Sequence, residues 1–133
     1  MKSTAARSKR SATRDTRAAG RAAERRAVWH YRLHGWKVLG RNVWIGGNEL
    51  DLIVRRGRRL AFVEVKAKSG RRHGDPFEMV TAEKQRRLRR AAEAWLAANP
   101  EHAQLEVGFE VVAFRGGRLE RLVTGSPELL GPP

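Results

Sequence analysis

The chain has 133 residues, enough for one domain with a real core, and a formal charge of +14 from 28 Lys and Arg against 14 Asp and Glu. The absence of cysteine excludes disulfides, cysteine-ligated zinc and thiol catalysis. No apolar run reaches membrane-span length and there is no apolar h-region, so a cytoplasmic protein with no membrane partner is expected, although the Arg-rich start has the composition of a transit peptide.

The first 20 residues carry six basic side chains and one acidic one. They supply +5 of the total, so the remaining +9 belongs to the part expected to fold. A basic folded domain favours a polyanion, and nucleic acid is the partner this balance predicts.

Residues 1–15, MKSTAARSKRSATRD, have almost no apolar content and read as a disordered basic arm. The expected folded domain is 16–124. From Thr16 to Leu33 the pattern turns helical, with Ala19, Ala23, Ala27 and Tyr31 at every fourth position and Val28 beside them. Gly35 sits at a plausible C′ position. Trp36 to Trp44 reads as a strand, Gly46-Gly47 as a turn and Glu49 to Arg55 as a second strand. Arg56-Gly57 turns the chain into a third strand, Arg59 to Lys68. SGRRHGDP (69–76) is a loop. Thr81 is a candidate N-cap for a helix to about Ala98, with Leu88, Ala91, Ala92, Trp95 and Leu96 as its apolar stripe. Leu105 to Phe114 alternates as a strand, a short strand follows at 118–123, and 125–133 is expected to be irregular. The order is α-β-β-β-α-β-β, which predicts an α/β domain with a mixed five-stranded sheet flanked by helices.

Glu49, Asp51, Glu64 and Lys66 stand inside otherwise apolar strands. Strict alternation places Glu49, Asp51 and Ile53 on one face of strand two, with Leu50, Leu52 and Val54 on the other. In strand three, Glu64 and Lys66 share a face with Leu60 and Phe62. A two-residue turn at Arg56-Gly57 sets Asp51 opposite Phe62, and a four-residue turn sets it opposite Glu64. Either keeps Asp51, Glu64 and Lys66 on one face. Two carboxylates this close repel each other unless a proton or a cation lies between them. A hard cation such as Mg²⁺, or Mn²⁺, is the natural solution, with Lys66 placed to orient a water or stabilise charge on a phosphate. A solvated face with Glu–Lys pairing has the same residue types, but Ile53, Leu60 and Phe62 on that face argue against it.

Asp51 followed by Glu64-Val65-Lys66 in this order of elements resembles the PD-(D/E)XK nuclease superfamily. More narrowly, GRAAERRAVWHYRLHGWKVLGRN (20–42), NELDLIVRRGRRLAFVEVKAKSG (48–70) and TAEKQRRLRRAAEAWL (81–96) resemble the bacterial YraN-like family. Its members are described as candidate endonucleases related in fold to archaeal Holliday-junction resolvases. The resemblance implies a restriction-endonuclease-like core that hydrolyses phosphodiester bonds in DNA, including branched or flapped DNA. It implies Asp51 and Glu64 as metal ligands, Lys66 as the catalytic lysine, and Glu24 and Glu49 as further site residues. Lys84 matches a family lysine. Asn48, Ala23 and Gly108 depart from the family pattern, where glycine, glycine and arginine are expected. Resolvase relatives act as dimers, and a homodimer would suit a two-fold four-way junction.

Lys84, Arg86, Arg87, Arg89 and Arg90 on the second helix, with Arg71 and Arg72 in the loop, are expected to position phosphates rather than read bases. Gln85 reads as part of the helix's polar face. His30 and His34 have a zinc-binding spacing but no acidic partner near them, so they read as incidental. The four tryptophans fit packing better than base stacking, with Trp44 the most exposed. The rival function is a nucleic-acid-binding protein on the same fold with weak or no catalysis; an RNA or ribosome partner rests on charge alone. Deleting residues 1–15 is expected to weaken DNA binding and to flatten the dependence of log K on log salt by about one unit per lost phosphate contact, as measured by fluorescence anisotropy across a salt series.

Overall fold

The computed structural model describes residues 4–68 and 81–125, with side chains over 17–67 and 81–120. The elements are α1 (Thr4–Leu33), β1 (Lys37–Ile45), β2 (Asn48–Arg56), β3 (Arg59–Lys68), α2 (Ala82–Ala98), a 3-10 turn (Pro100–His102), β4 (Glu106–Arg115) and β5 (Arg118–Gly125). The five strands form one sheet in the order β1-β2-β3-β4-β5. Only β3 and β4 pair in parallel; the other neighbours are antiparallel. The chain is therefore α/β with a mixed sheet and two helices. The loop holding Arg71 and Arg72, and the tail 126–133, lie outside the described residues. No helix among the described residues is long and apolar enough to cross a membrane.

α1 starts at Thr4 rather than near Thr16, so residues 4–15, expected as a disordered arm, are its first turns. Ala and Arg are strong helix formers, and no Gly or Pro interrupts 4–15. Low apolar content says that these turns have little to bury, and does not stop them from being helical. The packed stripe begins at Ala23 and continues through Ala27, Val28 and Tyr31, while Ala19 is exposed. The C-terminus closes as the sequence predicts. Gly35 has φ +83°, its N–H bonds the Arg32 carbonyl at 3.1 Å, and the Trp36 N–H bonds the Tyr31 carbonyl at 2.9 Å. This is a Schellman closure. The apolar contact that accompanies such closures is the edge-on packing of Tyr31 and Trp36, with ring centroids 5.8 Å apart.

The helices lie on opposite faces. α1 covers Leu52, Val54, Ala61, Val63, Val112 and Phe114. α2 covers Leu50, Ile53, Leu60, Phe62, Phe109 and Val111 through Leu88, Ala91, Ala92 and Trp95. Residues 60–64 and 109–114 are buried without a break, because the two central strands have a helix layer on both sides. α2 is the crossover that lets β3 and β4 run parallel. It starts at the Thr81 cap, whose Oγ1 accepts from the Lys84 N–H at 3.2 Å, and ends before Asn99-Pro100 as predicted.

The α1 layer buries one acid. Glu110 on β4, 7% exposed, accepts a 2.6 Å hydrogen bond from the Tyr31 hydroxyl. Burial, and then the neighbouring Glu110 charge and hydrogen bond, push the Tyr31 phenol well above its ordinary range, so it stays a donor. Tyr31→Phe removes this donor from a buried carboxylate and is expected to lower stability by about 1–3 kcal/mol, read as a drop in urea midpoint at unchanged m-value.

Candidate active site

Strict alternation fails at one place in β2, and that place is Asp51. Leu52 packs in the α1 layer and Leu50 in the α2 layer, although they are two residues apart. Leu50 and Leu52, expected on one face, are thus on opposite faces. The partner strand turns at the same level, with Arg41 opposite Leu52 and Val43 opposite Leu50. Between them Asn42 has φ +50°, the one described non-glycine residue in the left-handed region. The side chains of β2 exchange faces at this level, beside the positive φ of Asn42.

The β2–β3 register decides between the two turn geometries. Arg55 pairs with Leu60 and Leu52 with Val63, which is the register that brings Asp51 level with Glu64. The regular ladder stops at the Leu52–Val63 pair. At the next step the Asp51 carboxylate takes the Val65 N–H, with Oδ2 2.9 Å from the nitrogen. The side chain replaces a missing backbone acceptor.

Glu64 is 5% exposed and held by two ammonium groups. Its Oε1 is 2.8 Å from Lys84 Nζ and 3.3 Å from Lys66 Nζ. Lys66 comes from the same face of β3, and Lys84 from the first turn of α2 beside the Thr81 cap. Burial pulls the Lys84 ammonium down, but the hydrogen bond and charge of Glu64, with the charge of Asp51, outweigh it and hold Lys84 above its ordinary value. These contacts link β3 to the start of α2.

Asp51, Glu64, Lys84 and Arg87 face one cleft of about 510 Å³, together with Trp44 and Glu49 from the β1–β2 hairpin. The hairpin is fixed against α2 at Gly46, where φ is +62° and an added Cβ would meet Ala94 Cβ at 3.4 Å and the Arg90 carbonyl at 3.5 Å. Asn48, which stands where the family pattern expects glycine, closes this turn by donating from Nδ2 to the Gly46 carbonyl at 2.9 Å.

The carboxylates of Glu24, Glu49 and Asp51 have oxygen atoms within 4.8 Å of one another. α1 supplies the first and β2 the other two. The sequence reading pairs Asp51 with Glu64 as metal ligands, whereas in the structure Glu64 is engaged by lysines and Asp51 clusters with Glu24 and Glu49. Three oxygen donors of this kind suit a hard divalent cation such as Mg²⁺ or Mn²⁺. The electrostatics agree. Burial first, then the charges of Glu64 and Glu24, push the Asp51 carboxyl up to about 7 against the pull of the Val65 N–H and Lys84.

Of the helix-two cations, Lys84 and Arg87 line the cleft, and Arg86, Arg89 and Arg90 do not. Arg87 is tied to Glu83 at 2.6 Å and Arg89 to Glu93 at 3.3 Å. Gln85 is half-buried on the same helix. The His30 and His34 rings lie 4.4 Å apart, and His34 Nδ1 is 2.7 Å from the His30 carbonyl, a local helix-end contact. Of the four tryptophans expected to pack, Trp36 and Trp95 are buried while Trp29 is exposed; Trp44, expected as the most exposed from its place beside the Gly46-Gly47 turn, is so and lines the cleft.

The model of uncharacterised protein family UPF0102 matches residues 23–114, which span every cleft residue named above. The chain belongs to the UPF0102 family. A UPF0102 protein of Nitrobacter winogradskyi is 40% identical over 108 residues, covering 81% of this chain and 90% of that protein. One from Rhizorhabdus wittichii is 47% identical over 93 residues, covering 70% and 72%. One from Symbiobacterium thermophilum is 46% identical over 82 residues, covering 62% and 70%. The UPF0102 family is the YraN-like group that the sequence resembles.

Asp51 has its folded-state value near 7 above its ordinary value of 3.8. The unfolded chain therefore releases this proton at lower pH than the folded one, and stability falls as pH rises from about 4 to about 7. Asp51→Asn keeps an acceptor for the Val65 N–H and removes the charge. At pH 8 without divalent metal it is expected to be more stable than the parent by about 1 kcal/mol or more, with a flatter profile of melting temperature against pH between 4 and 7. Adding Mn²⁺ is expected to raise the melting temperature of the parent more at pH 8 than at pH 5, and to have little effect on the variant.

Proposed function

We propose that this UPF0102 protein is a divalent-cation-dependent nuclease that hydrolyses phosphodiester bonds of DNA. The observation that carries the reading is the meeting of Glu24, Glu49 and Asp51 oxygens within 4.8 Å, in a chain whose cleft also holds Glu64, Lys84 and Arg87. A net charge of +14 around this small acidic centre suits a phosphate backbone.

Glu24, Glu49 and Asp51 would hold the cation, Mg²⁺ or Mn²⁺. When bound, it supplies charge neutralisation at the phosphate and a lowered pKa for water. The protein's own groups do the rest. Lys84 and Arg87 bind the phosphate as it enters the cleft. Lys66 and Lys84, held on Glu64, keep positive charge near the position where charge builds on the phosphate oxygens. Glu64 fixes both ammonium groups, so they need not be ordered when the substrate arrives.

A second reading, a nucleic-acid binder with little or no turnover, is favoured by one observation: Glu64 is occupied by two lysines instead of joining the acidic group.

A panel of linear, nicked, flapped and four-way DNAs, assayed with Mg²⁺, Mn²⁺ or EDTA, separates the two. The nuclease reading expects cleavage of at least one substrate with metal and none with EDTA. Asp51→Ala is expected to lower the rate at least about a hundredfold. Glu64→Ala is expected to abolish cleavage while DNA affinity holds or rises, because two ammonium groups are freed. Lys66→Ala is expected to lose cleavage with weaker binding. Tight binding with no metal-dependent cleavage of any substrate would establish the binder instead.

A further inference from the structure

Trp44 is 71% exposed, on a protein whose described core otherwise encloses its large aromatic rings except for Trp29 at 61%. Leaving an indole in water forgoes a sizeable burial energy, and an exposed indole beside a charged cleft is well suited to contact with a flat, partly apolar group. Trp44 is directly opposite Glu49 in the β1–β2 ladder, so it stands one strand from the acidic group. Its backbone is not free to drift. The next residue but one, Gly46, is packed against α2, and Asn48 braces the turn. The indole thus stands on an anchored turn at the hairpin side of the cleft, while Lys84 and Arg87 from α2 supply positive charge to the same space.

We propose that Trp44 stacks on an unpaired base of the nucleic acid, so that the cleft selects single-stranded or unpaired segments over intact duplex. This rests on the nucleic-acid reading of the site but not on catalysis. In a duplex every internal base has both faces covered by its neighbours. Only an end, a flap, a bulge or a single strand offers a free face to an indole. Stacking of this kind tolerates any base, because each has a π-face. Lys84 and Arg87 contact phosphates whether or not the strand is paired. Strandedness is therefore read by Trp44, and general affinity by the cations.

The test measures binding in EDTA, which removes divalent metal, with a twelve-nucleotide oligothymidylate and a relaxed, covalently closed circular duplex, which has no ends. Trp44→Ala is expected to weaken oligothymidylate binding about tenfold or more and to leave duplex binding within about twofold, with Trp44→Phe retaining most of the affinity. Oligothymidylate is expected to quench the tryptophan emission of the parent, with most of that quenching gone in Trp44→Phe. Trp29→Ala, which alters the other exposed indole, is expected to change neither affinity. Equal losses on both probes, no loss on either, no binding of oligothymidylate by the parent, or an equal effect from Trp29→Ala would each overturn the proposal. A parent that shows the selective loss at Trp44 yet cleaves nothing in metal would leave this inference standing and remove the nuclease reading.

Discussion

The bond from the Val65 N–H to the Asp51 carboxylate is the contact on which the cleft depends. A regular sheet would fill that N–H with a backbone carbonyl and aim the Asp51 side chain by simple alternation. Instead the ladder ends at Leu52 and Val63, and the side chain completes it at 2.9 Å. One carboxylate oxygen is anchored by the sheet. The other side of the group is left among the charges of Glu64, Glu24 and Lys84. A free loop carboxylate would relax away from that crowd. Asp51 cannot, because moving it would leave a backbone donor without a partner.

The exchange of faces in β2 also explains how one site draws on both helix layers. α1 packs on one face of the sheet and α2 on the other. A flat sheet would keep Glu24 from α1 apart from a strand residue that faces α2. With the faces of β2 exchanged at this level, Glu24 meets Glu49 and Asp51, while Lys84 reaches Glu64 from α2. The central strands below the cleft are buried on both faces over 60–64 and 109–114. The cleft lies where the regular ladder gives out, above strands covered by a helix on each face.

Charge is arranged in the opposite sense to its total. The chain is strongly basic, but Glu49, Asp51 and Glu64 line the cleft, and several cations near it are already paired. Arg87 is bound to Glu83, and Glu64 holds Lys84 and Lys66. Such pairs order long side chains before a ligand arrives, which lowers the entropy that binding must overcome. The exposed i,i+4 pairs on α2 contribute little to stability. Their effect is to fix where the positive charge stands.

Much of this was legible in the sequence, because it depends on local chemistry. The Gly35 closure, the Thr81 cap, the Asn99-Pro100 stop, the strand spans and the order of elements follow from backbone preferences and apolar periodicity that neighbours do not alter. The α1 start was misplaced because low apolar content was read as disorder, whereas Ala and Arg without a breaker sustain a helix regardless of packing. Asp51, Glu64 and Lys66 could be brought to one region by counting residues across a turn. The layer change at Asp51 could not be found by counting, since alternation assumes a regular strand and the positive φ of Asn42 leaves no periodic signal. The grouping of Asp51 with Glu24 and Glu49, and of Glu64 with two lysines, was likewise decided only in three dimensions. Sequence by itself determined which carboxylates and cations exist and on which elements they ride; the tertiary structure decided which of them meet, because contacts between separate elements depend on sheet twist and helix placement that no single segment encodes.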